Sequence, residues 1–148
     1  MSISKSFENK VAIVTGGSSG IGQAIALALA REGATVGWTS LPADVAEGEE
    51  AFAKAGLTSV SFGGDMGDER FCESAVATMV ERFGRVDLLV NNAFSSIAVA
   101  LDGTREDWKR SFDVGVFAYA KMTQLVQESM DASGGGAIVN ITSISGVI

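Results

Sequence analysis

The fold class the sequence predicts is α/β, a doubly wound parallel sheet with helices on both faces. Strand signals and helix signals alternate along the whole chain, as βαβ units require. A glycine-rich turn, Thr15 to Gly22, joins the first apolar run directly to a helix-forming stretch. The 148 residues, 47% hydrophobic and 20% charged, suit one domain, residues 1–148, with a substantial core and no separate substrate domain.

Taken in order, the first strand spans Lys10 to Thr15 on the run Val11-Ala12-Ile13-Val14. Its helix runs from Ile21 to Glu32 and stops at Gly33, a C-terminal cap signal. Ile21, Ala24, Ile25, Ala28 and Leu29 recur at helical spacing, so that face is expected to press on the sheet. Ala34 to Ser40 forms a second strand, closed by Pro42. Asp44 to Lys54 is the second helix, and Thr58 to Gly63 a short third strand before Gly64 and Asp65. A third helix covers Glu69 to Phe83, with Phe71, Ala75, Val76, Met79 and Phe83 on one stripe. Asp87 to Asn91 is a compact fourth strand that runs into the loop Asn92 to Ser96. Thr104, with Asp107 three residues on, marks the cap of a long helix from Arg105 to Met130. Asp131 to Gly136 breaks that helix, Ala137 to Thr142 is the fifth strand, and Ser143 to Gly146 is the loop at its carboxyl end. Right-handed crossovers then give strand order 3-2-1-4-5, with the switch point between strands one and four. A ligand belongs in that crevice, where Thr15 to Gly22 faces Asn91 to Ala93.

Composition excludes several functions. The net charge of −7 lacks the basic footprint that phosphate-backbone binding needs, so nucleic acid is not an expected partner. With no histidine and a single cysteine, Cys72, neither a metal site nor a histidine-activated nucleophile is expected. Cys72 reads as a structural thiol with no basic neighbour to activate it. No apolar run is long enough to span a bilayer, the polar segment Met1 to Lys10 is unlike a signal peptide, and a cytoplasmic setting is expected.

The turn reads Thr15-Gly16-Gly17-Ser18-Ser19-Gly20-Ile21-Gly22. Glycine lets a nucleotide pyrophosphate approach the backbone, and the helix N-terminus meets its charge. Glycines at such spacing also mark plain turns, so the context decides. Asp65 follows strand three, Asn91-Asn92-Ala93 strand four, Trp108 lies on the long helix ahead of a kink near Gly115, and Ser143-x-x-Gly146 follows strand five.

This ordered set, covering nearly the whole chain, resembles the short-chain dehydrogenase/reductase family, whose Thr-Gly-x-x-x-Gly-x-Gly turn it matches. The resemblance implies a Rossmann-like domain and an NAD(P)-dependent oxidoreductase that moves a hydride between nicotinamide and a small-molecule alcohol or ketone. It implies that Gly16, Ser18, Ser19, Gly20, Ile21 and Gly22 line the adenosine ribose and pyrophosphate, with Ser40 and Leu41 at the end of strand two. It also implies that Asp65, beside Met66, accepts from the adenine amino group, and that Asn91 and Ala93 lie near the cofactor ribose. Asp65 has the alternative reading of a loop cap, Asn91 that of a loop-ordering amide. Ser143 matches the family's catalytic serine, which donates to the substrate oxygen as negative charge grows there; its alternative is a turn cap beside Ser145. Cofactor choice rests on Thr39-Ser40-Leu41, which carries neither the acidic residue of NAD sites nor an arginine for NADP. NAD or NADP is therefore expected, leaning to NADP because nothing there repels a phosphate.

The family's proton donor, a tyrosine in Tyr-x-x-x-Lys beyond the serine, is absent. The one tyrosine, Tyr119, lies upstream of Ser143, and Lys121 is at a spacing that does not share its helix face. Phe94 replaces the glycine of Asn-Asn-Ala-Gly, and Gly115 replaces the relay asparagine on the long helix. The expectation is a sheet without its C-terminal strands, with strand five an exposed apolar edge, inactive alone and paired with a missing C-terminal segment. The alternative is a non-catalytic dinucleotide-binding or assembly module. Trp108, Phe112, Val116, Tyr119 and Met122 form a candidate stripe for a homo-oligomer, or for burial on the chain's own sheet.

Overall fold

The computed structural model describes residues 5–95 and 102–143. Five parallel strands form one sheet in the order β3-β2-β1-β4-β5, as the alternation of elements implied. The strands are β1 Val11–Val14, β2 Thr35–Ser40, β3 Val60–Gly63, β4 Leu88–Asn91 and β5 Ala137–Asn140. Between them lie α1 Gly20–Arg31, α2 Val45–Lys54 after a short 3-10 turn Pro42–Asp44, and α3 Glu69–Phe83. The long helix comprises α4 Arg105–Phe112, a π-helical turn Asp113–Phe117 and α5 Ala118–Ala132. Every strand is one or two residues shorter than the range expected from sequence, and Thr142 falls outside the ladder.

The central strands are buried on both faces, so β1 reads as a continuous apolar run rather than an alternating one. On one face Ile13 and Leu89 pack with Met79, Val86, Met122 and Val126 from α3, α5 and the turn before β4. On the other, Val14, Val36 and Trp38 pack with Ala26, Ala30 and Phe52 from α1 and α2, and the Trp38 and Phe52 rings stack at 6.2 Å.

The sheet-facing side of α1 is not the stripe its large residues marked. Gly22, Ala26 and Ala30 are buried, while Ile21, Ala24 and Ala28 are exposed and Ile25 and Leu29 half-buried. Close approach of α1 to β1 selects small side chains for the contact line. Ile25 and Leu29 are turned instead toward an apolar groove of about 330 Å³ shared with Phe7, Leu88, Val90, Ala137 and Val139. β5 stands at the sheet edge with all its residues exposed, Ile138 and Val139 included, as the edge expectation had it.

The long helix keeps the Thr104–Asp107 capping box. Its π turn, centred on Gly115, inserts about one extra residue and so shifts the phase of everything after it by roughly 100°. Trp108, Phe112 and Val116 remain exposed on one side, whereas Met122 is fully buried in the core rather than on that stripe.

Asp87 ties β1 to β4. Its buried carboxylate accepts from Val11 N at 2.9 Å and from Arg85 Nε, and Lys10 Nζ stands 3.5 Å away. Burial pushes this carboxyl up, but the Arg85 and Val11 hydrogen bonds and the Arg85 and Lys10 charges outweigh it and hold it below its usual value. A lowered folded-state pKa gives stability that is present above the unfolded value, about 3.9, and lost as pH falls through the folded one. In urea titrations the Asp87→Asn variant is therefore expected to be less stable than wild type by about 2 kcal/mol at pH 7. That gap should narrow as pH falls below about 4. A gap independent of pH would contradict this account.

Candidate functional site

The crevice lies at the carboxyl ends of β1 and β4, where the sheet order reverses. One wall is the turn from Thr15 to α1. Gly17 N donates to Thr39 O at 2.9 Å and Gly16 N to Thr39 Oγ1 at 3.3 Å, so the end of β2 holds the turn from the side. Gln23 Nε2 donates to Ser18 O at 2.5 Å, and Ser40 Oγ to Ser18 Oγ at 2.8 Å. Ser18 and Ser40 are thereby both buried and paired, with no charged side chain between them at the end of β2. Ser19 caps α1 with an extended backbone and makes no side-chain cap bond, and Ser19, Gly20, Ile21 and Leu41 are exposed. The N–H groups of a helix's first turn have no intrahelical acceptors, so this end of α1 presents donors of the kind that suit an anion. Gly22 lies against the Gly16 carbonyl and the Asn92 amide, leaving no room for a Cβ.

The opposite wall is the end of β4. Thr15 Oγ1 accepts from Asn92 N at 2.9 Å and from Ala93 N at 3.0 Å, while Asn92 Nδ2 donates to Thr15 O at 2.9 Å and Gly16 O at 3.1 Å. These bonds clamp the two walls together. Asn91 Nδ2 donates to Asn140 Oδ1 at 2.9 Å across the β4–β5 pair, and its buried Oδ1 has no hydrogen-bond partner among the described residues. Thr15, Thr39 and Asn92 were not singled out individually as site residues from sequence. The signal that could have found them was a hydroxyl, at Thr15 and Thr39, or an amide, at Asn92, at a strand end beside a turn with unpaired backbone groups.

Past β3, Asp65 Oδ1 accepts from Gly67 N at 2.8 Å, the loop-cap arrangement, and Oδ2 accepts from Arg110 Nη1 at 2.7 Å. The Arg110 hydrogen bond holds the carboxyl below its ordinary value, against a smaller upward push from burial. Met66 does not face the crevice with its side chain: it is buried in the core, its Sδ 3.2 Å from Thr39 Oγ1.

Ser143 is exposed just beyond β5, whose ladder is extended by Ile141 N donating to Asn91 O at 2.8 Å. Residues 144–146, the rest of its expected turn, lie outside the described residues, as does Ser96. Phe94 is 77% exposed next to the β4 wall. Tyr119 is half-buried, its hydroxyl donating to Ile141 O at 3.4 Å, and burial pushes its pKa up. Lys121 points the other way, to Glu73 at 2.6 Å and Glu69 at 3.2 Å on α3. The two do not form a proton-donating pair. Cys72 is a buried thiol pushed up to about 11 by burial and then by the Asp68 charge, a reluctant nucleophile.

The residues present fit a dinucleotide. The turn offers backbone free of Cβ atoms at Gly16, Gly20 and Gly22, a Cβ at Gly20 would meet nothing within 4 Å, and the α1 N-terminus opens beside it. Among the described residues no helix is long and apolar enough to cross a membrane.

Comparison with known proteins agrees with this geometry. The sequence profile described as short chain dehydrogenase matches residues 10–148. An uncharacterized oxidoreductase of Bacillus subtilis is 37% identical over 142 residues, covering 93% of this chain and 48% of that protein. The 7alpha-hydroxysteroid dehydrogenase of Escherichia coli is 32% identical over 139 residues, 93% of this chain and 54% of its own length. A solved 7 alpha-hydroxysteroid dehydrogenase, complexed with NADH and 7-oxo glycochenodeoxycholic acid, superposes with a TM-score of 0.88 at 28% identity over 98% of this chain and 57% of that one. The chain thus spans about half the length of the relatives it matches.

Proposed function

The chain belongs to the short-chain dehydrogenase family, and from that premise we propose that it is the cofactor-binding part of an NAD(P)-dependent oxidoreductase that interconverts an alcohol and a ketone. The observation that carries this reading is the glycine turn clamped to the end of β4 by Thr15 and Asn92, with the α1 N-terminus open beside it. Gly16, Ser18, Ser19, Gly20, Ile21 and Gly22 hold the pyrophosphate and adenosine ribose, chiefly through backbone N–H groups. Ser40 and Leu41 border the ribose, Asp65 and the Met66 backbone the adenine, and Asn91 and Ala93 the second ribose. The bound nicotinamide supplies or accepts the hydride. Ser143 donates its hydroxyl to the substrate oxygen, where negative charge grows as hydride arrives.

On this reading Tyr119 and Lys121 are not the proton-transfer pair, since Tyr119 bonds to Ile141 O and Lys121 is held by two glutamates. The apolar groove beside α1 and the exposed β5 edge are where a further segment would add to the sheet. The exposed side chains Trp108, Phe112, Val116 and Phe117 favour self-association through the long helix. Phe94 favours an apolar substrate, in keeping with the steroid alcohols named for two relatives. At the end of β2 the uncharged Ser18–Ser40 pair raises no charge against a phosphate, which keeps the lean to NADP.

Calorimetric titration of the chain with NADH and NADPH tests this reading. Saturable binding of one or both, without turnover of a ketone panel, is the expected result. No binding of either would overturn it and leave a purely structural part. The second reading, a non-catalytic dinucleotide-binding module, is favoured by the engagement of Tyr119 with Ile141 O and of Lys121 with Glu69 and Glu73. Joining the chain to a Tyr-x-x-x-Lys half from a relative separates the two, because only the first predicts that ketone reduction then appears and depends on Ser143.

A further inference from the structure

Asp65 is 45% exposed at its side chain, yet both of its carboxylate oxygens have a fixed partner. Oδ1 is held by Gly67 N in the next turn, Oδ2 by the guanidinium of Arg110, which arrives from α4, 45 positions along the chain. Gly67 leaves the space for this arrangement. A Cβ there would lie 2.8 Å from Arg110 Nη1 and 3.3 Å from Asp65 Oδ1, so any larger residue displaces the guanidinium. A carboxylate has roughly four lone-pair directions, so each oxygen keeps one to offer after these bonds are made. The plane in which it offers them is set by Arg110 and Gly67 together. An unpinned surface carboxylate would instead give up its rotational freedom at each binding event.

Resting on the reading of Asp65 as the adenine acceptor, we propose that Arg110 is a positioning residue for adenine recognition, making the site select a 6-amino over a 6-keto purine through the orientation it gives Asp65. Arg110 itself touches no cofactor atom in this account. It is well suited to the task because its planar fork fixes direction as well as charge, which a lysine ammonium does not. The 6-keto oxygen of hypoxanthine puts an acceptor where adenine has its donor, so a pinned carboxylate both loses a bond and meets a lone pair.

The test is titration of the chain with NADPH and NADH and with their nicotinamide hypoxanthine counterparts, alongside Tm. Wild type is expected to prefer the adenine form about tenfold, the scale of one hydrogen bond to a charged group. In Arg110→Ala the preference should fall to about twofold, through weaker adenine-form binding and slightly stronger hypoxanthine-form binding as the carboxylate turns away from the keto oxygen, and Arg110→Lys should lie between. Gly67→Ala, which displaces the guanidinium while keeping both partners, should act like Arg110→Ala. If wild type shows no preference, or binds neither form, Asp65 is not the adenine acceptor and both readings fall. If Asp65→Ala abolishes the preference but Arg110→Ala retains it, Asp65 keeps its role and the proposal for Arg110 is overturned. An equal loss of both dinucleotides in Arg110→Ala, together with a lower Tm, also overturns it, since that is what a purely structural ion pair would give.

Discussion

Alanine at Gly22 is expected to remove dinucleotide binding and to destabilise the chain, while alanine at Gly20, also in the first turn of α1, leaves it folded. A Cβ at Gly22 would run into the Gly16 carbonyl and the Asn92 amide, which hold each other through the Asn92 Nδ2 bond to Gly16 O. Neither can yield cheaply. The carbonyl belongs to the turn backbone, and the amide also holds Thr15 O at 2.9 Å. Relief requires α1 to move off the turn, which opens the buried line Gly22, Ala26 and Ala30 and tilts the first-turn N–H groups. Overpacking of this kind costs about 3 kcal/mol or more when backbone must shift. Gly20 differs in kind: its φ of 55° disfavours a Cβ, but open space surrounds it. Alanine there costs about 1 kcal/mol of backbone strain. Urea midpoints give the stability difference and calorimetry the binding. If the Gly22→Ala midpoint equals that of wild type, the packing account of this turn is wrong.

The contrast between these glycines also marks what the sequence could disclose. Strand order was legible because alternating elements and right-handed crossovers leave few topologies, and β1, β2 and β4 needed only apolar runs between turn signals. α3 was legible to the residue, Glu69–Phe83, since Asp68 accepts from Arg70 N at one end and Gly84, at φ 77°, closes the other. The contact face of α1 was not, because periodicity weights large side chains and the line nearest β1 is chosen for small ones. Nor was the phase of α5. A kink near Gly115 was expected but not the extra residue its π turn inserts, and of the two readings open for the stripe, Met122 takes burial in the core while Trp108, Phe112 and Val116 stay exposed. Asp65 was read either as a loop cap or as an adenine acceptor. Its Oδ1 bond to Gly67 N makes the first reading true without using up the acceptor capacity the second needs. Arg110 had no local signal at all, since its partner lies in another loop.

Two positions noted in the sequence, Phe94 and Gly115, lie outside the strands. Gly115 sits in the π turn, where a Cβ would meet nothing within 4 Å. Phe94 stands exposed beside the β4 wall. Both leave the clamp between Thr15 and Asn92 intact.

That clamp gives the second large effect. Thr15 is fully buried, and its Oγ1 takes the N–H groups of Asn92 at 2.9 Å and Ala93 at 3.0 Å. Valine preserves the shape of threonine but removes the oxygen, leaving both donors facing a methyl group. A buried donor without an acceptor costs about 1–3 kcal/mol. Asn92 is nine-tenths buried and Ala93 is less so, which lets water satisfy part of the second donor. Thr15→Val is therefore expected to lose about 3 kcal/mol and to weaken NADH or NADPH binding, because the β4 wall is released from the turn. Serine does the reverse: it keeps the oxygen and deletes a methyl group, at about 1 kcal/mol. If packing governed this site, the volume-conserving valine would be the milder change and serine the harsher. Hydrogen bonding predicts the opposite order in both stability and affinity, and urea midpoints with calorimetric titration of the two variants decide between them.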